Sequence, residues 1–126
     1  MNERIAALLT RARTEISAAR TLSAAGFAPQ STSRAYYAAF YAAEAALMSI
    51  GESRSKHAGV LSAFGRLVVK DGGFDPDVGR VVRRLFERRN AADYAWIDAE
   101  DVSGEDETAA AESFVDAVEA WIASRP

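Results

Sequence analysis

The sequence contains no cysteine and only one histidine, His57. Without cysteine there is no disulfide framework, no thiol chemistry and no cysteine-ligated metal. A single histidine argues against a histidine-rich metal site and against a Ser/His/Asp triad, because one imidazole would have to serve every role. We therefore expect neither a metal ion nor any other cofactor.

Long hydrophobic runs are also missing. No segment approaches the roughly 18 consecutive apolar residues of a membrane span. The first residues, MNERIAALLTRARTE, lack the apolar core of a signal peptide. The sequence therefore predicts a cytoplasmic protein without a membrane segment, and its 126 residues suit one domain over 1–126.

The charged residues are unevenly distributed along the chain. Residues 1–89 hold fourteen basic and eight acidic residues, whereas residues 90–126 hold one basic and ten acidic residues. The net charge of −3 excludes a uniformly basic nucleic-acid binder but is compatible with a local basic surface. An acidic C-terminal helix packed beside a basic one explains the same pattern without nucleic acid.

Apolar residues recur every three or four positions, the period of an amphipathic α-helix, and no stretch alternates with the period of a strand. Five helices joined by short links are predicted, and they give an all-α antiparallel bundle. The expected helices are Met1 to Ala25, Ser31 to Ser49, Lys56 to about Lys70, Pro76 to about Asp93, and a last helix opened by Ser103.

Polar residues stand at several of the expected helix starts. Ser55 is a candidate N-cap of the third helix, and Asp75 followed by Pro76 is typical of the start of the fourth. Ser103 and Asp106 resemble a capping box with Asp in place of Glu.

The link before the last helix contains Trp96 and Ile97, which we expect to fold back on the core. Many of its residues between Asp98 and Glu107 are acidic, but they lack the ligand spacing and glycine turn of a calcium loop. We interpret them as a solvated link and helix start.

The second helix, STSRAYYAAFYAAEAALMSIG, combines many alanines with four aromatic residues. Small residues let neighbouring helix backbones approach closely, so we expect this helix at the centre of the bundle. Four polar residues share one of its faces by three-and-four spacing and form a candidate binding line. They are Arg34, Tyr37, Tyr41 and Glu44. The alternative is that the tyrosines pack their rings in the core and direct only their hydroxyls to the surface.

The fourth helix, with the sequence VGRVVRRLFERRNAADY, places an arginine among its apolar residues. At about 100° per residue, Val82, Leu85 and Arg89 fall on one line. Burying an unpaired charge costs several kcal/mol, and Asp93 lies one turn further on. We therefore predict a buried Arg89/Asp93 pair at the end of this helix, beside Tyr94.

His57 falls in the first turn of the third helix. A single histidine at such a position is most often a surface or capping residue, and the helix N-terminus favours its neutral form. We nevertheless keep His57 as a candidate binding residue, together with Arg34, Tyr37 and Tyr41.

Three segments, SRAYYAAFYAAEAAL, SKHAGVLSAFG and LFERRNAADY, resemble the signature blocks of HEPN-domain proteins (higher eukaryotes and prokaryotes nucleotide-binding). The Arg-x-x-Ala-Asp-Tyr ending narrows the resemblance to a small single-domain prokaryotic branch. The resemblance implies an antiparallel bundle like that of nucleotidyltransferase substrate-binding subunits. It also implies a homodimer in which the fourth-helix motifs of two subunits face a shared cleft.

Many HEPN proteins are RNA-cleaving toxins, often encoded beside a minimal nucleotidyltransferase that acts as antitoxin. Their catalytic motif is an arginine, usually followed by a polar residue, with a histidine a few residues further on. Arg89 matches the arginine, Asn90 matches the polar residue, and Tyr94 stands at the position of the histidine. The resemblance therefore makes Arg89, Asn90, Asp93 and Tyr94 the candidate catalytic residues.

The tyrosine changes the chemistry that this motif can perform. Metal-independent RNA cleavage needs one group to take the 2′-hydroxyl proton and another to protonate the leaving oxygen. A tyrosine, with an ordinary pKa of about 10, is a poor base. Arg89 would still neutralise a phosphate and Tyr94 would stack on a base, so RNA or nucleotide binding is favoured over ribonuclease activity.

A second hypothesis needs no nucleic acid. The chain would be a catalytically inactive helical module for protein interaction, in which Arg89, Asp93 and Tyr94 are structural. Removing Asp93 would then destabilise the protein by a few kcal/mol, because it leaves a buried arginine unpaired.

Overall fold

The computed structural model describes residues 1–94 and 103–125, and most of this part of the chain is helical. Its five α-helices are α1 Glu3–Ala24, α2 Ala28–Ser49, α3 His57–Ala63, α4 Pro76–Tyr94 and α5 Glu105–Ala123. A π-helical segment, Phe64–Lys70, continues α3. The predicted all-α bundle is confirmed.

Helix α2 lies at the centre of the bundle, as predicted, and contacts the other four helices and the π-helical segment. Seven of its alanines are fully buried, which allows neighbouring helices to pack close to its axis. They are Ala35, Ala38, Ala39, Ala42, Ala43, Ala45 and Ala46. Larger core side chains, among them Phe64, Phe114 and Ile16, fill the space around them.

The first two helices differ from their predicted bounds. Helix α1 begins at Glu3 because the side chain of Asn2 caps it, accepting a 2.8 Å hydrogen bond from the backbone N–H of Ile5. Helix α2 begins at Ala28, three residues earlier than predicted. Pro29 is compatible with a first helical turn, and the Ser31 N–H already donates to the Phe27 carbonyl.

The predicted cap of α3 is wrong. Lys56 occupies the N-cap position in an extended conformation, no side chain caps the helix, and Ser55 lies outside it. The prediction for α4 is confirmed, because Asp75 Oδ1 accepts a 2.8 Å hydrogen bond from the backbone N–H of Asp77.

The predicted capping box at the start of α5 is not formed as such, because Gly104 rather than Ser103 occupies the N-cap position. Ser103 Oγ accepts a 2.9 Å hydrogen bond from the Asp106 N–H, as predicted. The Ser103 N–H, however, donates to Glu107 at 3.4 Å rather than to Asp106. Glu107, one residue further on, has the longer side chain, which reaches back to the serine. The predictions for Trp96, Ile97 and the acids 98–101 lie outside the described residues.

Acidic side chains of α5 pair with arginines of α1. Arg13 lies 2.7 Å from Asp116 and 3.4 Å from Glu119, and Arg20 lies 2.6 Å from Glu112. This pairing supports packing as the explanation of the charge asymmetry. None of the described helices has both the length and the apolar character needed to cross a bilayer.

Gly72 is a position where the packing leaves no room for a side chain. Trp121 of α5 donates a 2.8 Å hydrogen bond to the Gly72 carbonyl. A Cβ at Gly72 would lie 2.8 Å from a Trp121 ring carbon and 2.6 Å from the Val68 carbonyl oxygen. We expect Gly72→Ala to lower the free energy of unfolding by about 1–3 kcal/mol, measured by urea denaturation.

Gly65→Ala is the matched control. A Cβ at Gly65 meets no described atom within 4 Å, and the residue is helical and exposed. We expect this change to be neutral or to stabilise the protein by up to about 1 kcal/mol. Equal stability of the two variants would contradict the close contact between Gly72 and Trp121.

Candidate functional site

Aromatic side chains of α2 surround His57 at the start of α3. The Phe40 ring stacks on the imidazole with 4.1 Å between ring centroids, and Tyr37 meets the imidazole edge-on at 5.8 Å. The Tyr36 hydroxyl lies 2.8 Å from His57 Nδ1. His57 is therefore a half-buried member of a cluster, and its interpretation as a surface or capping residue is corrected.

Arg89 reaches the same cluster from α4. Its Cζ lies 4.9 Å from the centroid of the Tyr36 ring and 5.6 Å from that of Tyr37, and Phe86 of its own helix is at 5.7 Å. Attraction between the cation and these rings favours this position. The Arg89 side chain is only 14% exposed, so its predicted place on the inner face of α4 is confirmed.

The predicted Arg89/Asp93 pair forms at the end of α4, with 3.7 Å between Arg89 Nη1 and Asp93 Oδ2. The Asp93 side chain is 33% exposed, so the pair is only partly buried. Within the described part of the chain, the buried Nε of Arg89 has no hydrogen-bond partner. The guanidinium is therefore held mainly by the rings beneath it.

Burial and the positive charge of Arg89 both shift pKa values in this cluster. Burial lowers the pKa of His57, and the positive charge of Arg89 lowers it further. Burial also raises the pKa of Tyr36 well above its ordinary value. The lowered pKa favours the neutral form of His57, with burial as the first cause and Arg89 as the second.

The polar line of α2 continues from this cluster toward α1. Arg34 lies over the Tyr37 ring at 4.8 Å and pairs with Glu15 of α1 at 2.9 Å. Tyr37 thus lies between Arg34 and Arg89, and it joins the polar line to the His57 cluster.

Tyr41 and Glu44 lie further along the same face. The Tyr41 ring is 6.1 Å from that of Tyr37, and Arg11 of α1 lies over it at 4.5 Å. Burial raises the pKa of Glu44, and Arg11 partly offsets this effect. The predicted shared face is confirmed, but Tyr41 and Glu44 pack mainly toward α1.

The structure brings together some of the candidate residues and adds others. Arg89, Asp93, Tyr37 and His57 share one cluster, whereas half-buried Asn90 makes no side-chain hydrogen bond to a described residue. The prediction for Tyr94 concerns a side chain outside the described structure. The cluster includes two residues that the sequence analysis did not select, Tyr36 and Phe40. Their spacing of four residues predicts that they share one face of α2. It does not predict that this face contacts His57.

Fold and site together define a small helical bundle in which an arginine of α4 lies over tyrosines of α2. A family model for the HEPN domain matches residues 5–122. The chain belongs to the HEPN family, and the resemblance of its three sequence blocks is confirmed.

Several relatives are similar over most of the chain. A UPF0332 protein of Thermotoga maritima is 42% identical over 90 residues, which cover 71% of this chain and 68% of that protein. "Putative toxin MJ0605" of Methanocaldococcus jannaschii is 33% identical over 118 residues, covering 94% and 88%. "Putative toxin MJ0142" of the same organism is 29% identical over 87 residues, covering 69% and 59%.

The geometry of the Arg89/Asp93 pair predicts a modest contribution to stability. Its partial exposure and 3.7 Å separation place it between a surface pair and a fully buried one. We expect Asp93→Ala to lower the free energy of unfolding by about 1 kcal/mol, below the few kcal/mol predicted for a buried pair. Glu87→Ala, an exposed change on the same helix, should have almost no effect in the same urea titration. A loss of about 3 kcal/mol or more for Asp93→Ala would contradict partial exposure.

The lowered pKa of His57 predicts a pH dependence of stability. In mildly acidic solution the unfolded chain binds a proton at His57 that the folded chain does not, so stability rises with pH in this range. We expect the free energy of unfolding to fall as the pH drops below about 6.5, the ordinary pKa of histidine. His57→Gln removes this titration. A difference between parent and variant that stays constant from about pH 7.5 to 5 would show that the histidine titrates normally.

Proposed function

We propose that this chain is a toxin-like HEPN protein that binds RNA or a nucleotide in a cleft of a homodimer and has a minimal nucleotidyltransferase as its partner. The observation that carries the proposal is the position of Arg89. Its guanidinium lies over Tyr36 and Tyr37, largely shielded from water, yet its ionic partner is 3.7 Å away. Two relatives are named as putative toxins, which supports the toxin-like part of the proposal.

The environment of Arg89 suits a phosphate group. Charge-assisted N–H···O hydrogen bonds are about 2.7–2.9 Å long, so Asp93 does not make a close bond of this kind with the guanidinium. Guanidinium N–H groups therefore remain available to the oxygens of an anion. Half-buried Tyr37, next to Arg89, and half-buried Arg34 also provide flat surfaces on which unpaired bases stack.

The pKa values of the side chains in the cluster favour binding over cleavage. Among its described members, only His57 has an ordinary pKa near neutrality, and burial and Arg89 lower it. Its Nδ1 is already hydrogen-bonded to Tyr36. Metal-independent ribonuclease chemistry needs a proton acceptor and a proton donor, and the described cluster supplies no such pair tuned to neutral pH.

The second candidate function is that of a catalytically inactive interaction module. One observation favours it: Arg89 makes its cation–π contacts and its ion pair within its own chain, with Tyr36, Tyr37, Phe86 and Asp93. Arg89, Asp93 and Tyr94 would then hold the end of α4 in place for a protein partner. In the first function an anion binds the Arg89 guanidinium, whereas in the second only residues of the same chain contact it.

Arg89→Ala separates the two functions when it is compared with Arg83→Ala. Both changes remove one positive charge from α4, but Arg83 lies on its exposed face. We expect Arg89→Ala to weaken binding of a short single-stranded RNA by about tenfold or more, measured by fluorescence anisotropy. Arg83→Ala should change it by no more than about threefold, the effect of a non-specific charge. A nucleoside monophosphate, tested as a competitor, shows whether a single nucleotide is sufficient.

Other outcomes would decide against the proposal. Equal binding by both variants, or no binding by the parent protein, would favour the interaction module. Circular dichroism shows whether Arg89→Ala is folded. If it is not, Arg89→Met keeps the long apolar stem and serves in its place. Light scattering tests the homodimer, and a metal-free RNA cleavage assay tests for residual ribonuclease activity.

A further inference from the structure

The hydrogen bond between Tyr36 and His57 determines which ring nitrogen carries the proton. Tyr36 is fully buried, and its hydroxyl lies 2.8 Å from His57 Nδ1. This is the only hydrogen bond of the hydroxyl within the described structure. A buried O–H group needs an acceptor, because leaving it unpaired costs free energy. Tyr36 therefore donates, and Nδ1 accepts with its lone pair.

An accepting Nδ1 leaves the proton of the neutral imidazole on Nε2. Arg89 disfavours a second proton on the ring. Phe40, stacked at 4.1 Å, holds the plane of the ring. The Nε2 edge lies away from Tyr36 and makes no hydrogen bond to residues 1–93 or 103–125. His57 thus carries a fixed N–H donor in the same cluster as Arg89.

We propose that His57 donates its Nε2–H to a phosphate-bearing ligand held at Arg89, and that Tyr36 is the positioning residue that fixes the tautomer and the ring orientation. The inference rests on the proposed function, since the ligand is the RNA or nucleotide bound there. Arg89 supplies the charge and His57 supplies a neutral donor. The ligand is thereby contacted from α4 and from the start of α3.

The tautomer can be measured without any ligand. His57 is the only histidine, so its ring nitrogens are identified directly in ¹⁵N-labelled protein by nuclear magnetic resonance. We expect a protonated Nε2 and an unprotonated Nδ1 near neutral pH. Observation of the Nδ1–H tautomer would overturn the inference, whatever the protein binds.

Two variants separate a ligand contact from a structural role. In His57→Gln, the side-chain amide keeps an N–H donor near the place of Nε2. In the double variant Tyr36→Phe/His57→Phe, both hydrogen-bonding partners become apolar, which preserves the rings and leaves no buried polar group unpaired. We expect His57→Gln to bind a short single-stranded RNA within about threefold of the parent protein, and the double variant about tenfold more weakly.

Urea denaturation of the same proteins provides the control. A structural role for His57 predicts that RNA affinity follows stability, whereas a ligand contact predicts that affinity follows the donor. A stable double variant that binds RNA as tightly as the parent would overturn the inference. The proposed function would still stand if binding remained sensitive to Arg89→Ala. Failure of the parent protein to bind RNA or a nucleoside monophosphate would overturn both.

Discussion

The close packing of small residues along α2 is the constraint on which the rest of the structure depends. A helix whose buried positions are mostly alanine allows its neighbours to approach closely, and α2 contacts all of them. The few large residues on this helix then have fixed surroundings. Tyr36 and Phe40 extend from the alanine surface toward α3 and α4, where they meet His57 and Arg89. The site therefore forms where α2 carries large side chains, since its other buried positions are mostly alanine.

Tyr36 contacts functional candidates on two different helices, α3 and α4. Its ring lies under the guanidinium of α4, and its hydroxyl bonds to the imidazole of α3. In a buried environment of low dielectric constant, both interactions are stronger than they would be in water. A shift of α2 would therefore move the arginine and the histidine relative to each other. Buried Tyr36 therefore helps to position both groups, together with Tyr37.

The site predictions that succeeded concern interactions within one helix. The inner position of Arg89, its pair with Asp93 and the shared face of Arg34, Tyr37, Tyr41 and Glu44 all follow from helical spacing. The contact between Tyr36 and His57 joins two different helices, and its geometry depends on their packing, which spacing does not specify. The Ser55 cap failed for a local reason, because Lys56 rather than Ser55 occupies the N-cap position. The start of α2 differs from the prediction because Pro29 lies in its first turn, where a proline is compatible with a helix.

Ion pairing between α1 and α5 also affects how the molecule would meet an anionic ligand in solution. Arg13 and Arg20 face carboxylates of α5, while Arg34 and Arg89 have their own carboxylates nearby. Positive charges with such close counterparts produce only a weak field beyond about 10 Å, the Debye length at moderate ionic strength. Long-range attraction by these four arginines therefore contributes little to the encounter with an anionic polymer. Recognition at this surface would depend on the lifetime of the complex more than on the rate of its formation.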